Sequence, residues 1–332
     1  MTDQVGALSV SGLTLGFRSR RGLVRVLHDV YLDVGRGEIV GLVGESGSGK
    51  SVTSLQAARL LPEQSVVVES GSVEVAGADT VTASEKTMGR LRGSHIGFIF
   101  QEPMTALSPT MTVGKQLGLA IRRHTRCRRG EVRRRVVDAL EEAQIPEPES
   151  VADKYPFELS GGMRQRVVIA IAMAGSPELL IADEPTTALD VTVQAEILAL
   201  VGRLAQDHGM AVLFVSHDLA LISKLCHRVF VMYGGRMVET GPTEQVIHSP
   251  AHPYTRALLG ALPQVEGAHR LSPIPGEPPD PRQEVTGCVF APRCPRRFDR
   301  CDVQPDHFSV SEGHSAACWL AAQENEEVSY AG

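Results

Sequence analysis

The sequence lacks a long apolar run, an excess of positive charge and the basic start of a secretory signal. Its longest apolar stretch, Val167–Gly175, is too short to cross a bilayer. A formal net charge of -6 argues against a nucleic-acid-binding surface as the main function of the chain. The opening residues, MTDQVGALSV, have neither the basic stretch nor the apolar core of an export signal. We therefore expect a protein on the cytoplasmic side, where thiols stay reduced.

The remaining composition is that of a folded globular protein. Hydrophobic residues make up 42% of the chain and charged residues 22%, which excludes a disordered polypeptide. A length of 332 residues allows two domains, or one large domain with an appendage. The function must therefore be sought in local motifs.

The clearest motif is GESGSGKS at Gly44–Ser51, which fits the phosphate-binding pattern G-x-x-x-x-G-K-[ST]. The apolar run Glu38–Val43 predicts a buried strand before it, and Ser51–Leu61 predicts a helix after it. Backbone N–H groups of the loop and of the helix start would then face an anion. Lys50 would reach the terminal phosphates, and the Ser51 hydroxyl would bind Mg²⁺. The alternative is a glycine-rich turn that matches by chance, and the flanking strand and helix disfavour it.

Three further predicted strands end in polar residues, at the sheet edge where α/β folds bind ligands. An acid there can hold Mg²⁺ through water, and a second acid can orient or deprotonate an attacking water. A single His is more often structural, but one at a strand end can contact phosphates. Gln101 follows Ile96–Phe100, Asp183 and Glu184 follow Leu179–Ala182, and His217 follows Ala211–Val215.

A second candidate anion site is LSGGMRQR at Leu159–Arg166, which leads into an apolar helix. The Gly161–Gly162 pair at the helix start leaves its first N–H groups open to an anion. Two explanations are possible for a second such site far along the chain. One fold brings both to a single nucleotide, or two chains share their sites.

Other segments are less specific. Leu8–Leu15 and Val24–Val34 predict strands of an antiparallel layer, with Phe17 either stacking on a nucleotide base or serving as core. Gly234–Gly235 predicts the turn of a β-hairpin. The basic block Arg122–Arg135 suits an anionic partner or a solvated helix, and the acids that follow it favour the solvated helix.

These motifs, in this order and spacing, resemble the ATP-binding subunit of ABC transporters over roughly residues 8 to 245. The resemblance implies an α/β fold: a P-loop NTPase core with an antiparallel β subdomain and a helical subdomain at about residues 102–175. It places the ABC ATP-binding domain at residues 1–245 and a C-terminal extension at 246–332. It also implies ATP hydrolysis.

The resemblance further implies a role for each matching residue. Phe17 would stack on adenine, Glu184 would be the general base, and His217 would contact the γ-phosphate. Gln101 would sense Mg²⁺ and couple to membrane subunits, sharing the ion with Ser51 and Asp183. The signature residues Ser160, Gly161 and Gly162 would close over ATP held by a partner chain. The ATP-binding loop would comprise Gly44, Glu45, Ser46, Gly47, Ser48, Gly49, Lys50 and Ser51, followed by Thr53.

The segments HSPAHPYTRALLGALP (His248–Pro263), PIPGEPPDP (Pro273–Pro281), FQEPMTALSP and GCVFAPRCPRRFDRC resemble ATP-binding subunits of dipeptide, oligopeptide and nickel importers. Phe157 is a departure, since relatives usually carry His there. The implied function is to power peptide uptake through separate permeases. Alternatives are import of nickel or another small solute, or a non-transport ABC ATPase.

The implied partners are a second ATPase subunit, two transmembrane permease subunits and, indirectly, an extracytoplasmic solute-binding protein. The resemblance favours a paralogue over a copy of this chain as the second ATPase. No nucleic-acid partner is expected. The chain would lie peripherally at the cytoplasmic face of the cell membrane.

Four of the six cysteines, Cys288, Cys294, Cys301 and Cys318, have the spacing C-x5-C-x6-C-x16-C. In a reducing compartment such a cluster predicts a metal before a disulfide. Structural zinc sites favour close C-x2–4-C pairs, which this spacing lacks, whereas longer spacings suit a [4Fe–4S] cluster. The family resemblance implies the same cluster. Zinc and free thiols stay open as alternatives, and a structural role is favoured over a redox sensor.

Overall fold

Short apolar runs form the strands of the protein, and amphipathic segments form most of its helices. A computed structural model describes residues 6–20, 22–102, 106–186, 189–261, 274–283 and 285–323. The strands are β1 (Leu8–Ser19), β2 (Gly22–Val34), β3 (Ile39–Val43), β4 (Val66–Val75), β5 (Ala78–Asp79), β6 (Ile96–Ile99), β7 (Leu179–Asp183), β8 (Ala211–Ser216), β9 (Arg228–Tyr233), β10 (Arg236–Pro242), β11 (Phe308–Ser311) and β12 (His314–Ala316).

The helices follow the same chain order. They are α1 (Lys50–Ala57), α2 (Glu85–Ser94), α3 (Val113–His124), α4 (Val132–Glu142), α5 (Pro148–Val151), α6 (Gly161–Met173), α7 (Val191–His208), α8 (Leu219–Leu225), α9 (Thr243–His248) and α10 (Pro253–Gly260). No helix in the described part of the chain is long and apolar enough to span a bilayer.

The chain divides into two compact units. The first comprises Met1–Leu8, Asp33–Ile39 and Glu74–Val215, and the second comprises Ser9–Leu32, Val40–Val73 and Ser216–Gly332. The predicted division of the chain at residue 245 stays a prediction.

In the first unit, β8, β7 and β6 lie side by side in that order and are parallel. Every residue of β7 and β8 is buried, as expected for parallel strands covered on both faces. In register, Ile96 pairs with Leu179 and Leu179 with Ala211. The carboxyl ends of these strands therefore share one edge, which is where the sequence predicted catalytic side chains.

Helices α3, α4 and α6 belong to the same unit. The inner faces of α3 and α4 bury Val113, Leu117 and Ile121 and then Val136 and Leu140. The basic block is split between two helices because a short 3-10 turn at Arg129–Glu131 separates them. Its exposed Arg133 pairs with Asp153 at 2.7 Å, which agrees with the solvated-helix interpretation.

The second unit contains two sheets. One has the order β2-β1-β4, and the other includes β11-β12-β10-β9-β3. Strands β9 and β10 form the predicted hairpin: Arg236 pairs with Tyr233, and Gly234 and Gly235 form the turn with φ of 53° and 75°. Both positive φ values suit a tight hairpin turn.

The C-terminal extension adds strands to this second sheet, which the sequence did not predict. Glu239 of β10 pairs with Ala316 of β12 in antiparallel register. The fully buried Glu239 carboxylate accepts bonds from the Ala251 and His252 N–H groups and lies 2.8 Å from His314 Nε2. A buried carboxylate is tolerated only when it is satisfied in this way.

One predicted helix is shorter than expected, and parts of several motifs lie outside the described residues. The helix predicted at Ser51–Leu61 ends at Ala57, because Arg59 adopts a left-handed conformation with φ of 49°. Pro103–Thr105 of FQEPMTALSP, Thr187 and Ala188 of the TALD turn, and residues 262–273 of the extension motifs lie outside the described residues.

Candidate functional site

The phosphate-binding motif forms the loop that the sequence predicts, between a fully buried β3 and the start of α1. Gly44, Gly47 and Gly49 have φ of 155°, 78° and 109°, which favour glycine. A Cβ on Gly44 would lie 2.1 Å from the Met232 carbonyl oxygen, so no larger residue fits there. The loop conformation therefore depends on its glycines.

Lys50 lies at the centre of this loop. Its side chain is buried, and Nζ donates to the carbonyl oxygens of Gly44 at 2.8 Å and Glu45 at 2.9 Å. Burying an ammonium group requires such partners. Thr53, one turn into α1, donates its hydroxyl to the Gly49 carbonyl at 3.1 Å.

The Ser48 hydroxyl provides a direct test of whether the loop fits a phosphate. The residue is 4% exposed, and its Oγ has no hydrogen-bond partner within the described part of the chain. Buried hydroxyls normally have a partner, so a loop with a buried donor and a positively charged side chain suits an oxyanion. Ser51, Gln101 and Asp183, the residues predicted to hold Mg²⁺, carry the oxygen atoms that this ion prefers.

Gln101 and Glu184, predicted separately from two strand ends, are in contact. Gln101 Nε2 donates to Glu184 Oε2 at 3.0 Å. Glu184 has φ of 46°, an unusual value for a residue with a side chain, and its N–H donates to the Val215 carbonyl at 2.9 Å. Strain of this kind concentrates at functional sites. Asp183, which precedes Glu184 and is the last residue of β7, is buried.

The signature segment begins α6 as predicted. Ser160 caps the helix by accepting a hydrogen bond from the Met163 N–H at 3.3 Å, and Ser160 and Gly161 are exposed. Gly162 is required by packing, since a Cβ there would lie 2.8 Å from Val193 Cγ1. An exposed helix start with a glycine pair can receive an anion from outside the chain.

The candidate residues are distributed over both units. The second unit carries the loop Gly44–Ser51, Thr53, the half-buried Phe17 on β1, and the exposed His217 directly after β8. The first unit carries Gln101, Ser160, Gly161, Gly162, Asp183 and Glu184. Of these, the structure joins Gln101 to Glu184 and wraps Gly44 and Glu45 around Lys50. The individual roles stay predictions.

Two contacts of the loop were missed by the sequence analysis. Glu45 is bonded to Tyr254 of α10 and to Arg293 of the C-terminal extension. No local pattern relates positions so distant in sequence, so nothing in the chain could have indicated these contacts.

Comparison with known proteins agrees with this geometry. The ABC transporter family matches residues 27–187, and the C-terminal region of oligopeptide/dipeptide transporters matches residues 238–301. The chain is 48% identical to a probable D,D-dipeptide transport ATP-binding protein of Escherichia coli strain K12, covering 98% of this chain and 99% of that protein. It is 43% identical to a dipeptide transport ATP-binding protein of Bacillus subtilis strain 168, covering 98% of each.

The chain belongs to the family of ABC transporter ATP-binding proteins. The resemblance predicted from the motifs is thereby confirmed, and the chain is an ABC-type ATPase. The α/β fold of an ABC cassette is confirmed as well. The dimeric ABC transporter cassette MJ0796 aligns with a TM-score of 0.64 and 28% identity, over 71% of this chain and 98% of that one.

The four clustered cysteines of this ABC ATPase line one pocket, next to Phe290 and Trp319. All four are free thiols, and the cavity between them is about 10 Å³, no larger than one water molecule. Across the described ranges, no group of three or more His, Cys, Asp or Glu side chains is arranged to hold a metal ion. The [4Fe–4S] prediction is therefore not confirmed.

Burial shifts the pKa values of three of the clustered thiols. It raises the pKa of Cys288 to about 11 and also raises the pKa values of Cys294 and Cys318. Because metal ligation requires thiolates, binding of a metal here would have to release the thiol protons. The two other cysteines lie outside the cluster, and burial likewise raises the pKa of Cys226.

Proposed function

We propose that this chain is the ATP-hydrolysing subunit of a peptide importer. The observation that carries the proposal is its near-full-length similarity to dipeptide and oligopeptide transport ATP-binding proteins, including the C-terminal region. That region favours peptides over nickel or another small solute as cargo. We assign the ABC ATP-binding domain to residues 1–245, with its helical subdomain at about 102–175, and the importer extension to residues 246–332.

In the proposed mechanism, the loop Gly44–Ser51 holds the phosphates, with Lys50 neutralising their charge. Phe17 stacks on the adenine, and His217 contacts the γ-phosphate. Ser51, Gln101 and Asp183 would hold Mg²⁺, which, when bound, offsets the charge on the phosphate oxygens. Glu184 accepts a proton from the attacking water as general base. The hydrogen bond from Gln101 orients the Glu184 carboxylate.

The signature residues Ser160, Gly161 and Gly162 serve ATP held by a second ATPase subunit. The exposure of Ser160 and Gly161 at the start of α6 supports this proposal, as does the dimeric assembly of the MJ0796 cassette. The further partners are two membrane permease subunits, reached near Gln101 and the helical subdomain, and indirectly a solute-binding protein outside the membrane. The chain then lies at the cytoplasmic face of the cell membrane.

Replacing the proposed base provides the test of the chemistry. Glu184→Gln should lower ATP turnover in the assembled transporter by about 100-fold or more, because the amide cannot accept the proton. ATP binding should persist, since the loop is intact. Turnover and retained nucleotide would be measured in the complex with its permeases, with exposed Glu141→Gln as control. Normal turnover in Glu184→Gln would contradict the base assignment.

The cargo is tested with the same complex in lipid vesicles. Peptides, supplied with the solute-binding protein, should stimulate ATP turnover and be transported, whereas Ni²⁺ should do neither. Stimulation by Ni²⁺ alone would favour the nickel alternative. An absence of any permease co-purifying with the chain from membranes would favour a non-transport ABC ATPase.

We also propose that Cys288, Cys294, Cys301 and Cys318 ligate a [4Fe–4S] cluster that stabilises the extension, although the pocket must widen to admit it. The support is that four thiols line one pocket. Protein purified without oxygen should then contain iron and absorb visible light, and replacing Cys294 by Ser should remove both. Colourless protein containing zinc would reject the cluster, and colourless protein without metal would leave the free thiols of the structure.

A further inference from the structure

The C-terminal extension contacts the phosphate-binding loop through a partly buried ion pair. Arg293 Nη1 donates to Glu45 Oε2 at 2.6 Å, and Nη2 donates to Glu45 Oε1 at 3.2 Å. Glu45 lies in the loop, whereas Arg293 lies in the 3-10 turn Ala291–Arg293 of the extension. This bidentate geometry is the strongest form of an arginine–carboxylate contact.

The remaining donors of the Arg293 guanidinium are also occupied. Nη1 donates to Tyr233 Oη at 3.1 Å, Nε to the Pro275 carbonyl at 2.8 Å, and Nη2 to the Ile274 carbonyl at 3.1 Å. A guanidinium carries five N–H groups, which matches these three bonds together with the two to Glu45. A lysine has only three donors on a flexible stem, so it cannot reproduce the arrangement.

The backbone of Glu45 is held by a hydrogen bond as well. Its N–H donates to Tyr254 Oη at 2.7 Å. The Tyr254 ring packs against the rings of Tyr233 and Phe290, at centroid distances of 4.5 Å and 5.4 Å. This buried aromatic cluster therefore holds the hydroxyl groups of Tyr254 and Tyr233 near the loop. The Arg293 side chain is 4% exposed, and the Glu45 side chain is 25% exposed. Little solvent therefore competes with the pair.

The contact bears directly on Lys50. The Glu45 carbonyl oxygen accepts a bond from Lys50 Nζ at 2.9 Å, so the residue held by Arg293 also helps to place the loop lysine. The Glu45 carboxylate places a negative charge in a loop that is proposed to bind anionic phosphates. Pairing with the Arg293 guanidinium offsets that charge. Loss of Arg293 would therefore both loosen the loop and leave a repulsive charge in it.

We propose that Arg293 is a positioning residue for nucleotide binding: it neutralises and fixes Glu45, so that the C-terminal extension sets the ATP affinity of the loop. Tyr254 holds the backbone of Glu45 by accepting a hydrogen bond from its N–H. The inference rests on the proposed ATP site at Gly44–Ser51. It adds that Arg293 and Tyr254 of the C-terminal extension contribute to the ATP affinity of that site.

The test is a double-mutant cycle on ATP binding in the full-length chain. Arg293→Lys should weaken the binding of a fluorescent ATP analogue by about tenfold, the effect of losing a charge-assisted hydrogen bond. In a Glu45→Gln background the same substitution should change affinity less than about twofold, since the carboxylate that the Arg293 guanidinium holds in a bidentate contact is gone. Tyr254→Phe, which removes only the hydroxyl, should weaken binding in both backgrounds.

Arg297→Lys is the matched control. Arg297 lies in the same extension, but its side chain is 53% exposed and pairs with Asp302 at 2.8 Å rather than with Glu45. It should bind the analogue as the unmodified chain does. Melting temperature is measured for every variant, so that a stability loss is separated from an affinity loss.

The outcomes are distinct. Unchanged affinity in Arg293→Lys with a lower melting temperature would overturn the inference, because the pair would then be structural only. An equal loss of affinity with and without Glu45→Gln would also overturn it, because no coupling would exist. If Lys50→Ala binds the analogue normally, the proposed ATP site itself fails. If Lys50→Ala abolishes binding while Arg293→Lys does not weaken it, only this inference fails.

Discussion

Two single residues of the candidate site have features that work against folding. Glu184 combines a left-handed backbone with a hydrogen bond from Gln101, and the Ser48 hydroxyl is buried in the loop without a partner among the described residues. Neither feature favours folding, since backbone strain and unsatisfied donors both cost free energy. Each is understandable as preparation for a bound nucleotide and water.

At the same scale, His307 joins the extension to β10 and predicts a pH dependence. Burial lowers its pKa, opposed by its hydrogen bond to the Met237 carbonyl and by the charges of Asp306 and Asp29. The folded pKa lies below the unfolded value, so the unfolded chain binds more protons in that window and stability rises with pH. His307→Gln keeps a donor but does not titrate.

The stability advantage of the unmodified chain over His307→Gln should therefore shrink as the pH falls below about 6.5. Denaturant unfolding of both proteins across that range measures it. Two unfolding curves that shift in parallel with pH would contradict the assignment.

At the scale of elements, the hairpin of β9 and β10 supports the phosphate loop. The Gly235 N–H donates to the Ser48 carbonyl at 2.8 Å, and the Gly235 carbonyl accepts from the His28 N–H at 2.9 Å. A Cβ on Gly235 would lie 2.1 Å from the Val26 carbonyl oxygen. The turn is therefore pressed between β2 and the loop, and this position has no room for a side chain.

Gly235→Ala should destabilise the protein by about 2–4 kcal/mol, from a strained φ together with a backbone clash. Gly209→Ala is the matched control, because Gly209 also has positive φ, 59°, but nothing lies within 4 Å of its Cβ position. That change should cost about 1 kcal/mol. Equal losses for both variants in urea unfolding would show that the close packing around Gly235 is unimportant.

The same elements show what the sequence could predict. The buried strands, the hairpin turn and the start of α6 follow from local signals: apolar runs, a Gly-Gly pair and a Ser cap. The Gln101–Glu184 contact was within reach because carboxyl ends of parallel strands meet at one edge. The pairing of β10 with β12 and the contact of Arg293 with Glu45 depend on tertiary packing between distant segments, which no local pattern encodes.

For the whole molecule, the proposed sharing of ATP between two chains leads to a distinct expectation for the signature. Gly161→Asp adds a carboxylate at an exposed position, where the nearest side-chain atom, Leu189 Cδ2, is 3.4 Å from the new Cβ. An acid in the first turn favours the helix itself, because it complements the helix dipole. The same acid repels an approaching phosphate. The substitution should therefore spare the fold and damage only the site that receives the partner's nucleotide.

Gly161→Asp should bind ATP on its own loop with unchanged affinity, yet lower turnover in the assembled transporter by about tenfold or more, since one opposed charge suffices to weaken closure. Binding is measured on the isolated chain and turnover on the complex. Lys50→Ala should show the reverse dependence, losing binding already in the isolated chain. A loss of ATP affinity in isolated Gly161→Asp would mean that the signature acts on its own chain's nucleotide, and the shared site would have to be abandoned.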